Sequence, residues 1–343
     1  MIERNKNIDL LRVISCVMVI VLHISATYVN QNINNPNQWF TVGNFIDSFM
    51  RVCVPIFLLI SGAFNIGNKL NKDYVYFYKK TLKAIVLPTF IWGFFYCTYI
   101  TVVSALEGYS PTPISIVSTY FRIFSGKPYY HMWYMYMLVG LYLVTPSICR
   151  IIDKIKVNQL FIISFLFIGV GIISNLFVNF VWPLEFINYI GYYILGYCLK
   201  HHCNQDNRGG AYLWFYLLSS FSRFLITEVI VRFNIYNKTL YFYSYLSPFV
   251  IVAAISIFVY FLRHKEFNIN VNRIQPHTFN IYMIHAGIYN TISIFLNKLD
   301  RWQNPIWFIP FLTILVLILS FGMSVLINRA IVSLKVKFVR ERY

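Results

Sequence analysis

The chain has 343 residues, of which 58% are hydrophobic and only 12% charged, at a mean hydropathy of +0.59. About a quarter of the residues of an ordinary soluble domain are charged, so a string of soluble domains is excluded. The net charge of +17 does not describe a nucleic-acid surface, because the Lys and Arg residues stand in short segments between apolar runs and form no continuous stripe.

Crossing the hydrocarbon core takes about 20 mostly apolar residues. Ten segments approach that length: 8–29, 45–64, 82–104, 132–148, 160–178, 184–199, 211–231, 240–262, 276–296 and 305–327, with the fourth and sixth the shortest. Arg4 and Lys6 precede the first run without a small-residue cleavage site, so a retained first helix is expected. The fold class predicted is all-α: a polytopic transmembrane helix bundle of about ten helices, one domain over residues 1–330 with a basic tail at 331–343. With the N-terminus in the cytoplasm, 20 Lys and Arg fall on the inner side and six on the outer side (Arg122, Lys127, Arg232, Lys238, Lys298 and Arg301). That bias places both termini in the cytoplasm. The outer loop 105–130, with Pro111, Pro113, Gly126 and Pro128, is expected to fold over the mouth of the bundle.

Six scattered cysteines without a CxxC pair argue against a disulfide framework. Cys198, His201, His202 and Cys203 cluster at the end of one helix, but their spacing matches no common zinc pattern, so no metal is expected.

Charged groups inside a span cost a few kcal/mol, about 2.5–3.5 on insertion scales, and mark candidate sites. The first helix carries Asp9, Arg12 and His23. Eleven residues at 100° each bring Arg12 and His23 to one face, about 16 Å apart along the axis. Arg12 then lies at the inner interface and His23 in the outer half. A snorkelling arginine and a helix-packing histidine are the plain structural alternatives. On the second helix Asp47 and Arg51 stand at i,i+4 spacing, fit for a salt bridge, and Ser61 with Gly62 forms a small-residue step that admits a close backbone or a ligand. His131, Trp133 and Tyr134 open the fourth helix near the outer mouth, where an aromatic belt is the simplest reading. Arg223 and Glu228, five residues apart on the seventh helix, face different ways and are expected to pair with other helices; His285 ends IYMIH at mid-membrane depth.

At these residues the sequence resembles the acyltransferase-3 family of integral membrane O-acyltransferases, which acetylate bacterial surface polysaccharides. The resemblance covers nearly the whole chain. It rests on Asp9-Leu-Leu-Arg12 followed after ten residues by His23, on Arg51 ahead of VPIFLLISGAF, on His131-Met-Trp133-Tyr134 opening YMLVGLYLVTP, and on IYMIH ending at His285. The stand-alone type, similar to enzymes that acetylate enterobacterial common antigen, is expected, since many relatives add an extracytoplasmic SGNH hydrolase-like domain. Direct transfer or a second, extracytoplasmic partner protein both stay open, as does a homo-oligomer.

The resemblance implies acetyl-CoA as donor, a surface glycan or lipid-linked oligosaccharide as acceptor, and the bacterial cytoplasmic membrane as location. The donor's phosphates would meet Arg12, Lys79, Lys80 and Lys83 on the inner side, although these are equally ordinary positive-inside residues. Asp9, Asp47, Arg51, Ser61, His131, Trp133, Tyr134 and His285 become candidates for substrate binding. Acyl transfer from a thioester to a hydroxyl needs a base and donors for the developing oxyanion. His23 is assigned as base because its ordinary pKa lies near neutrality, with Arg12 positioning the donor. Asp9 is too far along the helix to serve His23 as a partner. No GxSxG elbow points to a covalent intermediate, so direct transfer is expected. A glycan or small-molecule transporter is the main rival, and it predicts repeat symmetry and paired broken helices that the sequence does not display. A sensory module that binds a ligand without chemistry is a third reading.

Overall fold

The computed structural model describes residues 5–178, 180, 182–202, 209–235 and 239–340. Among them there is no strand. The helices are α1 (Lys6–Asn32), α2 (Gln38–Met50), α3 (Cys53–Asn65), α4 (Tyr74–Thr81), α5 (Leu87–Leu106), α6 (Pro113–Phe121), α7 (Trp133–Ile151), α8 (Val157–Phe177), α9 (Ile190–His202), α10 (Gly210–Arg232), α11 (Pro248–Arg263), α12 (Thr278–Lys298) and α13 (Pro305–Arg340). Eight helical stretches among the described residues are long and apolar enough to cross a membrane. The chain is an all-α, multi-pass bundle.

Two of the ten expected spans differ in kind. Residues 184–188 form a separate 3-10 turn, and α9 behind it has 13 residues. At 1.5 Å per residue that helix reaches about 20 Å, short of the roughly 30 Å core. α12 has 21 residues but carries Asn280, His285, Asn290 and Asn297, which dilute its apolar character. The third span begins earlier than its apolar run: α4 passes through a π-turn at Leu82–Val86 into α5, so Lys79, Lys80 and Lys83 ride on a helical extension. At the other end, α13 runs on to Arg340, so residues 331–340 continue the last helix.

The chain divides into two compact units, one of residues 1–53 with 206–343 and one of residues 54–205. In the first, α1 packs against α2, α11, α12 and α13. Its burial on nearly every side, from Ile8 through Leu11, Val19 and Ile24 to Tyr28, is that of a central helix. Asn5 caps it by accepting from Ile8 N at 3.1 Å. Buried Asn7 ties the helix to the end of α11, donating to the carbonyls of Phe261 and His264 and accepting from Phe267 N. α10 lays a stripe of Tyr216, Ser220, Arg223, Thr227 and Val231 inward at three- and four-residue steps. That stripe, polar at three of its five positions, packs α10 against α2.

In the second unit α8 packs on α9 and α4 on α7. The small-residue step at Ser61–Gly62 admits a backbone: a Cβ on Gly62 would lie 1.7 Å from the carbonyl oxygen of Tyr193, and one on Gly196 would lie 2.0 Å from that of Leu59. Outward faces are apolar, as at Phe165, Leu166 and Ile173 on α8, which suits contact with lipid chains. Cys16, Cys53, Cys97, Cys149 and Cys198 are free and buried, as expected of thiols within apolar spans.

Candidate active site

The span 38–65 is continuous in composition but broken in structure. α2 ends at Met50, Arg51 caps it with its N–H on the carbonyl of Asp47, and α3 starts at Cys53. Pro55 accounts for the break: its ring has no N–H for the carbonyl four residues back, that of Arg51, and crowds it. The Asp47 carbonyl, near the negative end of the α2 dipole, also meets the Arg223 guanidinium at 3.2 Å.

Asp47, fully buried, receives Arg51 through Nε to Oδ1 at 3.0 Å and Nη2 to Oδ2 at 2.5 Å. The expected i,i+4 pair is therefore present. Arg223, also fully buried, donates from Nη2 to Asp47 Oδ1 at 2.7 Å, from Nη1 to the Asp47 carbonyl at 3.2 Å and from Nε to the Phe242 carbonyl at 2.8 Å. Tyr243 lies under both cations, 5.2 Å from the Arg51 Cζ and 4.9 Å from that of Arg223, with Tyr245 5.6 Å from Arg51. Asn44 accepts from the Tyr243 hydroxyl at 2.8 Å and donates to Glu228 at 3.0 Å, while Glu228 also takes Thr41 and Arg232. Arg223 and Glu228 both find partners off their own helix, as expected, but on the same neighbour, α2, although they stand five residues apart.

Arg51 is an electrostatic neighbour of His23, whose ring stacks on that of His285 from α12, centroids 5.4 Å apart and planes 23° from parallel. His285 is 1% exposed, and its Nδ1 lies 2.7 Å from the carbonyl oxygen of Tyr282. A carbonyl only accepts, so Nδ1 carries the proton and Nε2 the lone pair. One turn beyond His23, the hydroxyls of Thr27 and Tyr289 meet at 2.6 Å. Arg12 is engaged elsewhere: its Nη1 pairs with Asp9 at 3.0 Å, its side chain 28% exposed. Asp9 and Lys6 line a cleft of about 450 Å³ against the loop 266–272.

The remaining candidates belong to the second unit. Ser61 reaches the Tyr142 hydroxyl at 3.3 Å. Buried His131 sits edge-on to Tyr96, Tyr129 and Tyr130, with centroids 5.0, 5.7 and 5.6 Å away. Trp133 leans on Tyr189 at 5.6 Å, and Tyr134 is buried against Phe57. Lys79, Lys80 and Lys83 are exposed. Cys198 is buried, His201 packs on Tyr197 at 4.3 Å, and the His202 side chain and Cys203 lie outside the described residues. No metal-binding group occurs among the described residues.

A family model described as an acyltransferase domain, of the acyltransferase-3 type, matches residues 5–325. The chain belongs to the acyltransferase-3 family. No curated protein and no solved structure gives a match. The matched stretch holds every residue of the His23, His285 and Arg51 assembly, so this multi-pass membrane acyltransferase carries its candidate chemistry inside the family domain.

Tyr243, Tyr245 and Asn44 are site residues that sequence reasoning did not select, and Arg223 it noted only as a charge within a span that pairs with another helix. For Arg223 a signal exists in the α10 stripe, whose period puts the arginine in line with Tyr216 and Ser220. Tyr243 and Tyr245 stand in or beside the short turn 239–243 ahead of α11, where no periodicity distinguishes them in a chain holding 27 tyrosines.

Proposed function

We propose that this acyltransferase moves an acetyl or other short acyl group from acyl-CoA on the cytoplasmic side to a hydroxyl of a cell-surface or lipid-linked polysaccharide, in the cytoplasmic membrane of a bacterium. The observation that carries the reading is the stacked His23 and His285 pair, within electrostatic reach of Arg51 at His23, inside an acyltransferase domain. In this scheme His23 takes the hydroxyl proton as the acceptor oxygen bonds to the thioester carbonyl carbon. The charge that grows on the carbonyl oxygen is stabilised by Arg51. As the carbon–sulfur bond breaks, the imidazolium returns the proton to the leaving thiolate, so the histidine ends as it began. His285, its Nδ1 held by the Tyr282 carbonyl, stacks on His23 and offers its Nε2 lone pair to a second hydroxyl of the acceptor.

The exposed ammonium groups of Lys79, Lys80 and Lys83 suit the phosphates of the donor; Arg12, whose charge is matched by Asp9, is the weaker candidate for that role. His131, Trp133 and Tyr134 are assigned to the acceptor, since aromatic faces pack against the C–H faces of sugar rings. Membership of an acyltransferase family supports this reading over an exporter. Mass spectrometry of glycan ester content in cells with and without the gene tests it: loss of O-acyl groups from one glycan is expected, and an unchanged ester profile across all envelope glycans contradicts it.

A further inference from the structure

The charges around Asp47 do not cancel. One carboxylate faces two arginines, which are cationic at any physiological pH. Glu228, joined to the cluster through Asn44 and Tyr243, is matched by Arg232 at 2.8 Å. The buried cluster of Asp47, Arg51 and Arg223 therefore keeps one positive charge.

Orientation of Arg51 does not call for a second cation. Its two-point contact with Asp47 is complete, and the cap of α2 already places its backbone. Arg223 alters the charge instead. With Asp47 alone, Arg51 would belong to a neutral pair whose field falls off quickly. Sharing Oδ1 with Arg223 divides the carboxylate between two cations and leaves Arg51 acting on its surroundings as a net positive charge. α1, which carries His23, packs on α2, whose end Arg51 caps, and His23 is an electrostatic neighbour of Arg51.

We infer that Arg223 is a positioning residue that occupies Asp47, so that Arg51 presents an uncancelled positive charge to the His23 and His285 pair where acyl transfer develops an oxyanion. The inference rests on the proposed function. It also reassigns Asp47 from substrate contact to the centre of this lock, since both its oxygens are held by arginines.

The test uses the full-length protein purified in nanodiscs, with labelled acetyl-CoA and extracted envelope glycan. Arg223→Gln, which leaves a neutral Arg51–Asp47 pair, is expected to lower kcat by about 100-fold, the scale of losing one oxyanion donor. The KM for either substrate should move less than about threefold, because the effect belongs to the transition state. Arg223→Lys keeps the charge while losing the fork, and should restore kcat to within about tenfold of wild type. In a double-mutant cycle with Arg51→Lys the losses in kcat should fall well short of adding. Wild-type kcat per folded molecule in Arg223→Gln overturns the inference, as does an Arg223→Lys enzyme that is folded yet as slow as Arg223→Gln. If Arg223→Gln does not insert, Arg223→Lys decides alone: kcat within about tenfold supports the inference and a loss near 100-fold in folded protein overturns it. A wild type that transfers nothing sinks the proposed function along with the inference; an active wild type beside an unaffected Arg223→Gln sinks the inference only.

Discussion

Taking the carboxylate away from Asp47 strands two guanidinium groups among tyrosine rings and backbone carbonyls. Breaking a buried ion pair by removing one partner costs about 3–5 kcal/mol. Asp47→Ala is therefore expected to lower the melting temperature of the detergent-solubilised protein sharply, whereas Arg12→Ala, in a partly exposed pair with Asp9, should cost less than about 1 kcal/mol. Comparable melting temperatures for the two variants contradict this ranking. The Asp47–Arg51 pair was legible in the sequence because i,i+4 neighbours share a helix face. Arg12 and His23 were legible as a face but not as partners: the spacing says nothing of Asp9 one turn back or of His285, which lies 262 residues further along and meets His23 only through tertiary packing.

Among the elements, small residues set how closely helices of the second unit approach. Adding a methyl at Gly62 drives it into a backbone carbonyl, which no side-chain rotation relieves, while Gly169 on α8 has nothing within 4 Å of such a methyl. Gly62→Ala is expected to lose several kcal/mol of stability and most of its membrane accumulation. Gly169→Ala should be neutral or gain about 0.5–1 kcal/mol from helix propensity, so equal yields of the two proteins count against the packing account.

Glu185, in the turn ahead of α9, has its carboxyl pushed up to about 7 by burial, with Lys127 opposing only part of the shift. A carboxyl raised on folding binds its proton more tightly in the native state, so its stabilisation is full below the ordinary carboxylate range and is lost as pH rises toward 7. Thermal stability should fall between about pH 5 and 7 in the wild type. The same step should be smaller in Glu185→Gln, and an identical profile in both refutes the assignment. This turn is where the sixth apolar run divides, and hydropathy alone could not show it, because Leu184 and Phe186 keep the run apolar across the division. The break at Arg51 was similarly hidden by composition, although Pro55 marks it.

For the whole molecule, hydropathy made the class and most spans legible, since a bilayer demands long apolar helices whatever their partners. Which polar residues assemble was legible only in part, because that depends on contacts far apart in sequence. The charge bias yields a further expectation: Lys80→Cys should react with a membrane-impermeant maleimide only in permeabilised cells, and Tyr109→Cys in intact ones. The reverse pattern refutes the orientation.

His23 is the proposed base of the acyl transfer. Its most direct test is the rate at which purified protein transfers labelled acetyl from acetyl-CoA to extracted glycan, for wild type and for a stably inserted His23→Ala. A wild type that transfers, beside a variant slower by about 10²–10⁴, is the predicted result. Transfer by His23→Ala at the wild-type rate contradicts it.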